Sequence, residues 1–332
     1  MLQITALNTT ENTWPYFQTT GAEAPQLNEF PLISVTIPSF NQGQYLETAI
    51  RSVLMQNYPN IELFVMDGGS VDGSVEIIQH YAPWLRGWIS ARDAGQSDAI
   101  NRGWSRSHGE IIAYLNSDDF YLPGAFERVA ECALSHPNAP LICGGICYVH
   151  ANGTREREKA AFCAQTVGTD LSTSPISDWF LPQQSCFFSR FALDQVGLFL
   201  NKDLHYVMDR ELIYRLSRLG RVEIIPQVLA ADRKHPSSKR QVARLKMAVE
   251  DRNVLLACYW GTSKDHQRRA KVARERLAQG YWQYARDIAS WPKRTAYECA
   301  AILLHPGYLQ RWRWGRRIFT HFRQIRNRLL AE

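Results

Sequence analysis

The sequence predicts an α/β protein built on a mostly parallel central sheet, followed by a C-terminal helical extension. Three observations predict it. Between residues 32 and 135, β-branched runs alternate with segments of helical period, the pattern of βαβ units. Two of those runs stop at acidic turns, Asp67-Gly68-Gly69-Ser70 and Asn116-Ser117-Asp118-Asp119. Such turns lie beyond the carboxyl ends of strands, where sheets of this kind bind ligands. Beyond residue 240 the pattern becomes helical and basic.

Taken in order, residues 1–30 are polar and turn-rich and are expected to form an N-terminal arm. Leu32 to Pro38 is a strand stopped by Pro, Ser and Asn, and 44–56 has helical spacing. Ile61 to Met66 is the second strand, 73–81 a helix, and Trp88 to Ser90 a short strand. Residues 96–107 form a helix, with Gln96 or Ser97 as its cap and Asp98 in its first turn. Ile111 to Leu115 is a strand and 123–135 a helix. Further strands are expected at 141–143, 145–149, 184–188 and 222–225, with a helix from Met208 to Leu219. Residues 240–288 read as helical throughout, and Pro292 and Pro306 punctuate the rest. The expected organisation is the arm at 1–30, an α/β domain at 31–240 and a basic helical extension at 241–332.

The bulk composition fits that plan. With 332 residues, 45% of them hydrophobic, the chain can bury one large core, and nothing points to a disordered or low-complexity protein. Residues 241–332 carry 19 Lys and Arg against 7 Asp and Glu, whereas residues 1–240 carry 19 against 25, which gives the formal +6. A mildly acidic body with a basic tail implies an anionic partner for the tail. The seven cysteines form no C-x-x-C pair, so they read as free thiols of a reducing compartment rather than zinc ligands. No signal peptide and no run of 18 apolar residues is read, so the expected location is the cytoplasm.

The two acidic turns each have a plain and a functional reading. Asp118 and Asp119 repel one another, and a cation or solvent must offset that. Mg²⁺ and Mn²⁺ take hard oxygen ligands and share carboxylates with substrate diphosphates. The plain reading is a solvated turn in which Asp119 caps the following helix. The turn at Asp67 matches neither G-x-G-x-x-G nor the phosphate loop, so it is either an ordinary tight turn or a place where backbone approaches a ligand. Arg92 is a candidate phosphate partner or a surface ion-pair partner.

Five blocks in order settle the direction. They are Ser34 to Asn41, Ala49 to Gln56, Asp67 to Ser74, Arg92 to Asn101 and Gly109 to Asp119. Their content and gaps resemble family 2 glycosyltransferases of the GT-A fold. The resemblance implies that Pro38, Phe40, Asn41, Asp67, Gly69, Arg92, Gln96, Asp98, Asn116, Ser117 and Asp118 form the nucleotide site, with Asp67 facing the base. It implies Asp119 as the main ligand of a Mn²⁺ or Mg²⁺ cofactor, in a Ser-Asp-Asp variant of the commoner Asp-x-Asp, and Arg233-Lys234-His235 as part of a loop closing on the diphosphate, with His235 either a second metal ligand or a plain surface histidine. The inverting base would be Asp209, in Met208-Asp209-Arg210-Glu211, with Glu211 as alternative or as an i+4 partner of Arg215. Trp179, Gln183, Gln184 and Arg233 fall on the acceptor side.

The implied reaction moves one sugar from a nucleotide-diphosphate sugar, UDP or dTDP favoured, to a sugar or lipid-linked acceptor in polysaccharide or glycolipid synthesis. The Gln-x-x-Arg-Trp of processive synthases is read as absent, an expectation corrected below, and with the absence of membrane spans that favours single additions. A nucleotidyltransferase is the rival enzyme, but Pro38-Ser39-Phe40-Asn41 lacks its glycine-rich loop; a non-catalytic nucleotide-binding scaffold is the rival from another class. Outside the resemblance, residues 308–330 place Trp314, Ile318, Phe322, Ile325 and Leu329 at helical spacing among arginines. That profile suits a helix on the anionic inner face of a membrane, or one docked on its own domain or on a second copy of the chain. Nucleic acid is not an expected partner, since no recognised module accompanies the charge.

Overall fold

The computed structural model describes residues 30–306, apart from 164–170, 172–173, 175–178, 237, 239–242, 258–262 and 288–290. The chain divides into two compact units: Met1–Leu171 with Ser177–His235, and Ser172–Ile176 with Pro236–Glu332.

The first unit is built on a nine-stranded sheet. Its parallel half is β3 (Gly87–Ser90), β2 (Ile61–Asp67), β1 (Ile33–Ser39) and β4 (Ile111–Tyr114), in that spatial order. Every residue of β1 is buried, as expected of an interior parallel strand covered on both faces. The sheet continues through β10 (Cys186–Ser189), β6 (Leu141–His150), β11 (Glu223–Lys234) and β5 (Phe120–Tyr121), with β7 (Arg155–Lys159) along β6. β10 runs antiparallel to both β4 and β6, while β6 and β11 are parallel to each other. A separate two-stranded sheet joins β8 (Phe162–Cys163) and β9 (Trp179–Phe180).

The helices follow from their apolar spacing. α1 (Gly43–Leu54) buries Tyr45, Leu46, Ala49, Ile50 and Val53 on one face. α2 (Ser74–Tyr81) follows β2, α3 (Gln96–Trp104) packs on β1 and β2, and α4 (Ala125–Ser135) follows β5. α5 (Arg190–Val196) and α6 (Met208–Leu216) come between β10 and β11. The second unit contains α7 (Arg244–Ala257), α8 (Ser263–Asp287) and α9 (Trp291–Leu304), with α8 packed against both neighbours.

Several elements differ from the sequence expectation, each for a local reason. The helical character expected over 240–288 is carried by two helices, α7 and α8. Pro292 punctuates the chain by opening α9, because the first helical turn has no internal partner for the missing N–H. β11 runs nine residues beyond Ile225, since register shifts between Ile224 and Ala230 absorb Pro226. Gly95, not Gln96 or Ser97, is the N-cap of α3, and Gly124 is that of α4, so Asp119 caps nothing. The residues of the expected N-terminal arm before Phe30, and those of the helix expected at 308–330, lie outside the described residues.

Candidate active site

Three turns meet at the carboxyl ends of β1, β2 and β4, and side chains knit them together. After β1, Asn41 takes a left-handed conformation (φ 51°). Its N–H donates to Ser70 Oγ at 2.7 Å, and its side-chain oxygen accepts from the Val71 N–H at 3.1 Å. Phe40, 61% exposed, stands over this junction, beside Gly68. After β2, Asp67 is buried and its carboxylate shapes its own turn. Oδ2 accepts from the N–H groups of Gly69 and Ser70 at 3.0 and 2.9 Å and from Ser90 Oγ at 2.7 Å, while Oδ1 accepts from Ser70 Oγ. Gly69 adopts φ 86°, which a side chain would strain. Pro38 is buried in β1, and Arg92 is exposed on the turn after β3.

The turn after β4 carries the carboxylate pair. Asp119 is 3% exposed; its Oδ1 accepts from the Arg233 N–H at 3.0 Å and its Oδ2 from Asn116 Nδ2 at 3.2 Å. Burial pushes its carboxyl well above the usual carboxylate range, and the charges of Asp118 and Asp232 add to that, against those hydrogen bonds. Asp118 Oδ2 meets His235 Nε2 at 2.8 Å, and the His235 ring tilts on Tyr45 at 5.0 Å. Arg233, expected on the acceptor side, is held at this pair: its Nε donates to the Asp118 carbonyl at 3.0 Å, and its guanidinium lies 4.9 Å from the Tyr45 ring centroid. Ser117 is buried within the turn.

A chain of amides carries the turn into the rest of the site. Gln96 Nε2 donates to Asn116 Oδ1 at 2.6 Å. Asn116 Nδ2 donates to Gln183 Oε1 at 3.2 Å, and Gln183 Nε2 donates to the Tyr114 carbonyl at 2.8 Å. Gln183 and Gln184 are both buried in a 3₁₀ turn that follows Pro182. Asp98, expected in the nucleotide site, is buried and paired with Lys202 at 2.6 Å and Arg102 at 2.8 Å. The Lys202 hydrogen bond is the main cause that holds its carboxyl below the usual range.

Asp209 and Glu211 both lie in the first turn of α6 but have different surroundings. Glu211 is engaged by Arg215, Oε1 to Nε at 2.8 Å and Oε2 to Nη2 at 2.9 Å. Arg215 in turn donates to the carbonyls of Val196, Gly197 and Phe199. Asp209 accepts from the Arg210 N–H at 2.8 Å. Tyr114 is buried, and its hydroxyl is pushed well above its usual value by burial, then by the charges of Asp209, Cys186 and Asp119. Trp179 packs edge-on against Tyr214 of α6, ring centroids 5.9 Å apart.

No group of three His, Cys, Asp or Glu side chains with metal-holding geometry forms among the described residues. A divalent cation shared with a diphosphate takes only one or two protein carboxylates. Asp119 and Asp232 are buried and Asp118 is half-buried, and hard carboxylate oxygens are the donor chemistry such a cation fits. Residue-by-residue reading missed Asp232, Tyr45, Tyr114 and Lys202. Asp232 was hidden because the strand reading stopped at Ile225, and Lys202 carries no sequence signal.

Knitted turns at the ends of a parallel sheet, with adjacent carboxylates after β4, one of them buried, and a helix bearing a further carboxylate, are the arrangement of a GT-A-type glycosyltransferase. The sequence model described as "Glycosyl transferase family 2" matches residues 34–197, just under half of the chain, and that span is a family 2 glycosyltransferase domain. An uncharacterized glycosyltransferase of Nostoc sp. (strain PCC 7120) is 27% identical over 311 residues, covering 83% of this chain and 95% of that protein. Among solved structures, S. aureus TarS 1–349 in complex with UDP-GlcNAc aligns with TM-score 0.57 at 13% identity, over 84% of this chain and 81% of that one. The Pyrobaculum calidifontis mannosyltransferase PcManGT, in complex with GDP-Man and Mn²⁺, aligns with TM-score 0.54 at 18% identity, over 88% and 84%. Both likenesses are of fold.

Proposed function

We propose that this glycosyltransferase is a metal-dependent inverting enzyme that moves a sugar from a nucleotide-diphosphate sugar to a hydroxyl acceptor. The observation that carries the reading is the carboxylate pair at the end of β4, in which Asp119 is buried on the Arg233 N–H and Asn116 and Asp118 meets His235 at 2.8 Å. In this reading the exposed Phe40 ring stacks on the base, and Arg92 meets the phosphates. Asp67 selects uracil or thymine, because its Oδ1 accepts one hydrogen bond and keeps capacity for an imide N–H. Asp119 and His235 are the protein ligands of Mn²⁺ or Mg²⁺, with Asp118 beside them. When bound, the cation acts as a Lewis acid on the diphosphate and stabilises the leaving nucleotide. Asp209 takes the acceptor hydroxyl proton as that oxygen attacks the anomeric carbon from the face opposite the diphosphate, which inverts the configuration. Glu211 is the poorer base because Arg215 occupies both its oxygens.

The acceptor is proposed to be a sugar or lipid-linked sugar at the inner face of a membrane, reached through the basic tail. No helix among the described residues is long and apolar enough to cross a membrane. The single-addition expectation meets a contrary signal in the tail. Gln310-Arg311-Trp312-Arg313-Trp314 has the Gln-x-x-Arg-Trp spacing of processive synthases, and it lies outside the described residues. Product length is therefore part of the test. Donor hydrolysis and thermal stabilisation are measured against a panel of UDP-, dTDP- and GDP-sugars with Mn²⁺, Mg²⁺ or EDTA. The expected result is a response to one nucleotide that EDTA removes and that Asp119→Ala lowers by about 10²-fold or more. A response that EDTA leaves intact would sink the metal dependence. With an acceptor oligosaccharide, one added sugar supports the single-addition reading, and a ladder of products refutes it.

A further inference from the structure

Helix α3 sends three side chains to the segment that leads into α6. Asn101, buried, forms a reciprocal pair with Leu200: its Nδ2 donates to the Leu200 carbonyl and its Oδ1 accepts from the Leu200 N–H, both at 2.9 Å. Two residues on, Lys202 Nζ donates to Asp98 Oδ1 at 2.6 Å. Two further on, the Leu204 carbonyl accepts from Ser97 Oγ at 3.3 Å. Leu200 and Val207 are both buried, so the segment is anchored in the core before it enters α6 at Met208. Arg215 binds the carbonyls just upstream, at Val196, Gly197 and Phe199. The first residue of α3, Gln96, meanwhile bonds Asn116, the partner of Asp119. One nine-residue helix thus touches the carboxylate turn at its start and the approach to Asp209 along its side.

We propose that Asn101 and Lys202 are positioning residues that fix segment 200–204 and so set where the Asp209 carboxylate stands. The proposal rests on the reading of Asp209 as the base. A general base acts only within hydrogen-bond reach of the proton it takes, and a displacement of about 1 Å costs about 10²-fold in rate. Lys202 suits the test because its side chain is 57% exposed, and because Asp98 keeps Arg102 when the ammonium is removed.

The test measures hydrolysis of UDP-GlcNAc, UDP-glucose and dTDP-glucose by the full chain, with thermal unfolding in parallel. In Lys202→Met we expect kcat to fall about 10-fold while donor KM stays within about 2-fold, and Lys202→Arg to recover most of the loss. Asn101→Ala should lose about 10²-fold in kcat. In the Lys202→Met/Asp209→Ala double variant the Lys202 change should add nothing to the loss from Asp209→Ala alone, since both act on one group. An unchanged kcat in Lys202→Met, a loss confined to donor KM, or full additivity in the double variant would overturn the proposal. Full activity in Asp209→Ala would remove the base assignment and the positioning role with it. An inactive Asp209→Ala beside an unaffected Lys202→Met would remove only the positioning role.

Discussion

Asp119 shows at the scale of one residue how a site is held against the preference of the fold. Its carboxylate is buried beside two others, and burial is the larger cause of its raised pKa, with Asp118 and Asp232 next. A raised carboxyl pKa means that the charged form costs folding free energy at neutral pH, and that the cost disappears as pH falls and the group protonates. Asp119→Asn keeps an oxygen acceptor for the Arg233 N–H while removing the charge. Without metal, this variant is expected to be more stable than the wild type by about 1 kcal/mol, the usual direction when a functional group is replaced by a neutral isostere. The gain should shrink as pH falls and vanish below about pH 4, where the carboxyl becomes neutral in the unfolded chain as well as in the folded one. Sugar transfer is expected to be lost. Chemical unfolding at neutral pH checks the first expectation. A variant less stable than the wild type would mean that Arg233 and Asn116 satisfy the charge fully.

At the scale of elements, α3 works because it lies very close to β1. A methyl group at Gly103 would come within 2.3 Å of Thr36 Oγ1 and 2.9 Å of Thr36 Cβ. Gly-to-Ala usually favours a helix interior by up to about 1 kcal/mol, but here the overlap meets a β-branched side chain fixed in a strand. Gly103→Ala is therefore expected to destabilise by about 1–3 kcal/mol, and Thr36→Ala in the same chain to recover part of it, as thermal unfolding would register. A stabilised Gly103→Ala would show that α3 can shift without cost. The elements that sequence pattern revealed are β1 to β4, β6 and β10, helices α1 to α4 and α6, and the first residues of β11. Those it missed have their pattern set by tertiary neighbours. β7 is charged and exposed along its whole length and has no alternation to detect. β11 contains a proline that only a register shift accommodates. The site divides in the same way. Asp67, Asp118 and Asp119 were legible because each follows a strand that ends abruptly. Lys202 and Asp232 were not, because their place depends on which distant segment folds against them.

Across the whole molecule, carboxylates shifted in opposite directions should give stability a maximum on the acid side of neutrality. Burial works to raise Glu62, but bonds from the His108 N–H, the Ser34 hydroxyl, the His108 ring and Arg86 outweigh it and hold its carboxyl below the usual range. Asp72 is lowered against burial by the Ser74 hydroxyl and by the N–H groups of Gly43 and Ser74, and Asp98 is lowered chiefly by Lys202. A lowered folded-state pKa contributes stability that is complete above the unfolded value, about 3.9–4.3, and is lost as pH falls through the folded one. Asp119 has the opposite sign, so its penalty is relieved first, above that window. The thermal midpoint is therefore expected to rise as pH is lowered toward the acid side and then to fall steeply below about 4. Two variants separate the limbs. Asp119→Asn should flatten the rise and leave the acid collapse in place. Glu62→Gln should lower the midpoint at neutral pH, since the bonds that Ser34 and the His108 N–H make at 2.7 and 2.8 Å lose their charged acceptor, and should make the acid limb shallower. A midpoint that falls monotonically from neutral pH downward, in the wild type and in Asp119→Asn alike, would mean that the Asp119 charge costs the fold nothing. The case for a cation as its necessary partner would then lose its physical basis.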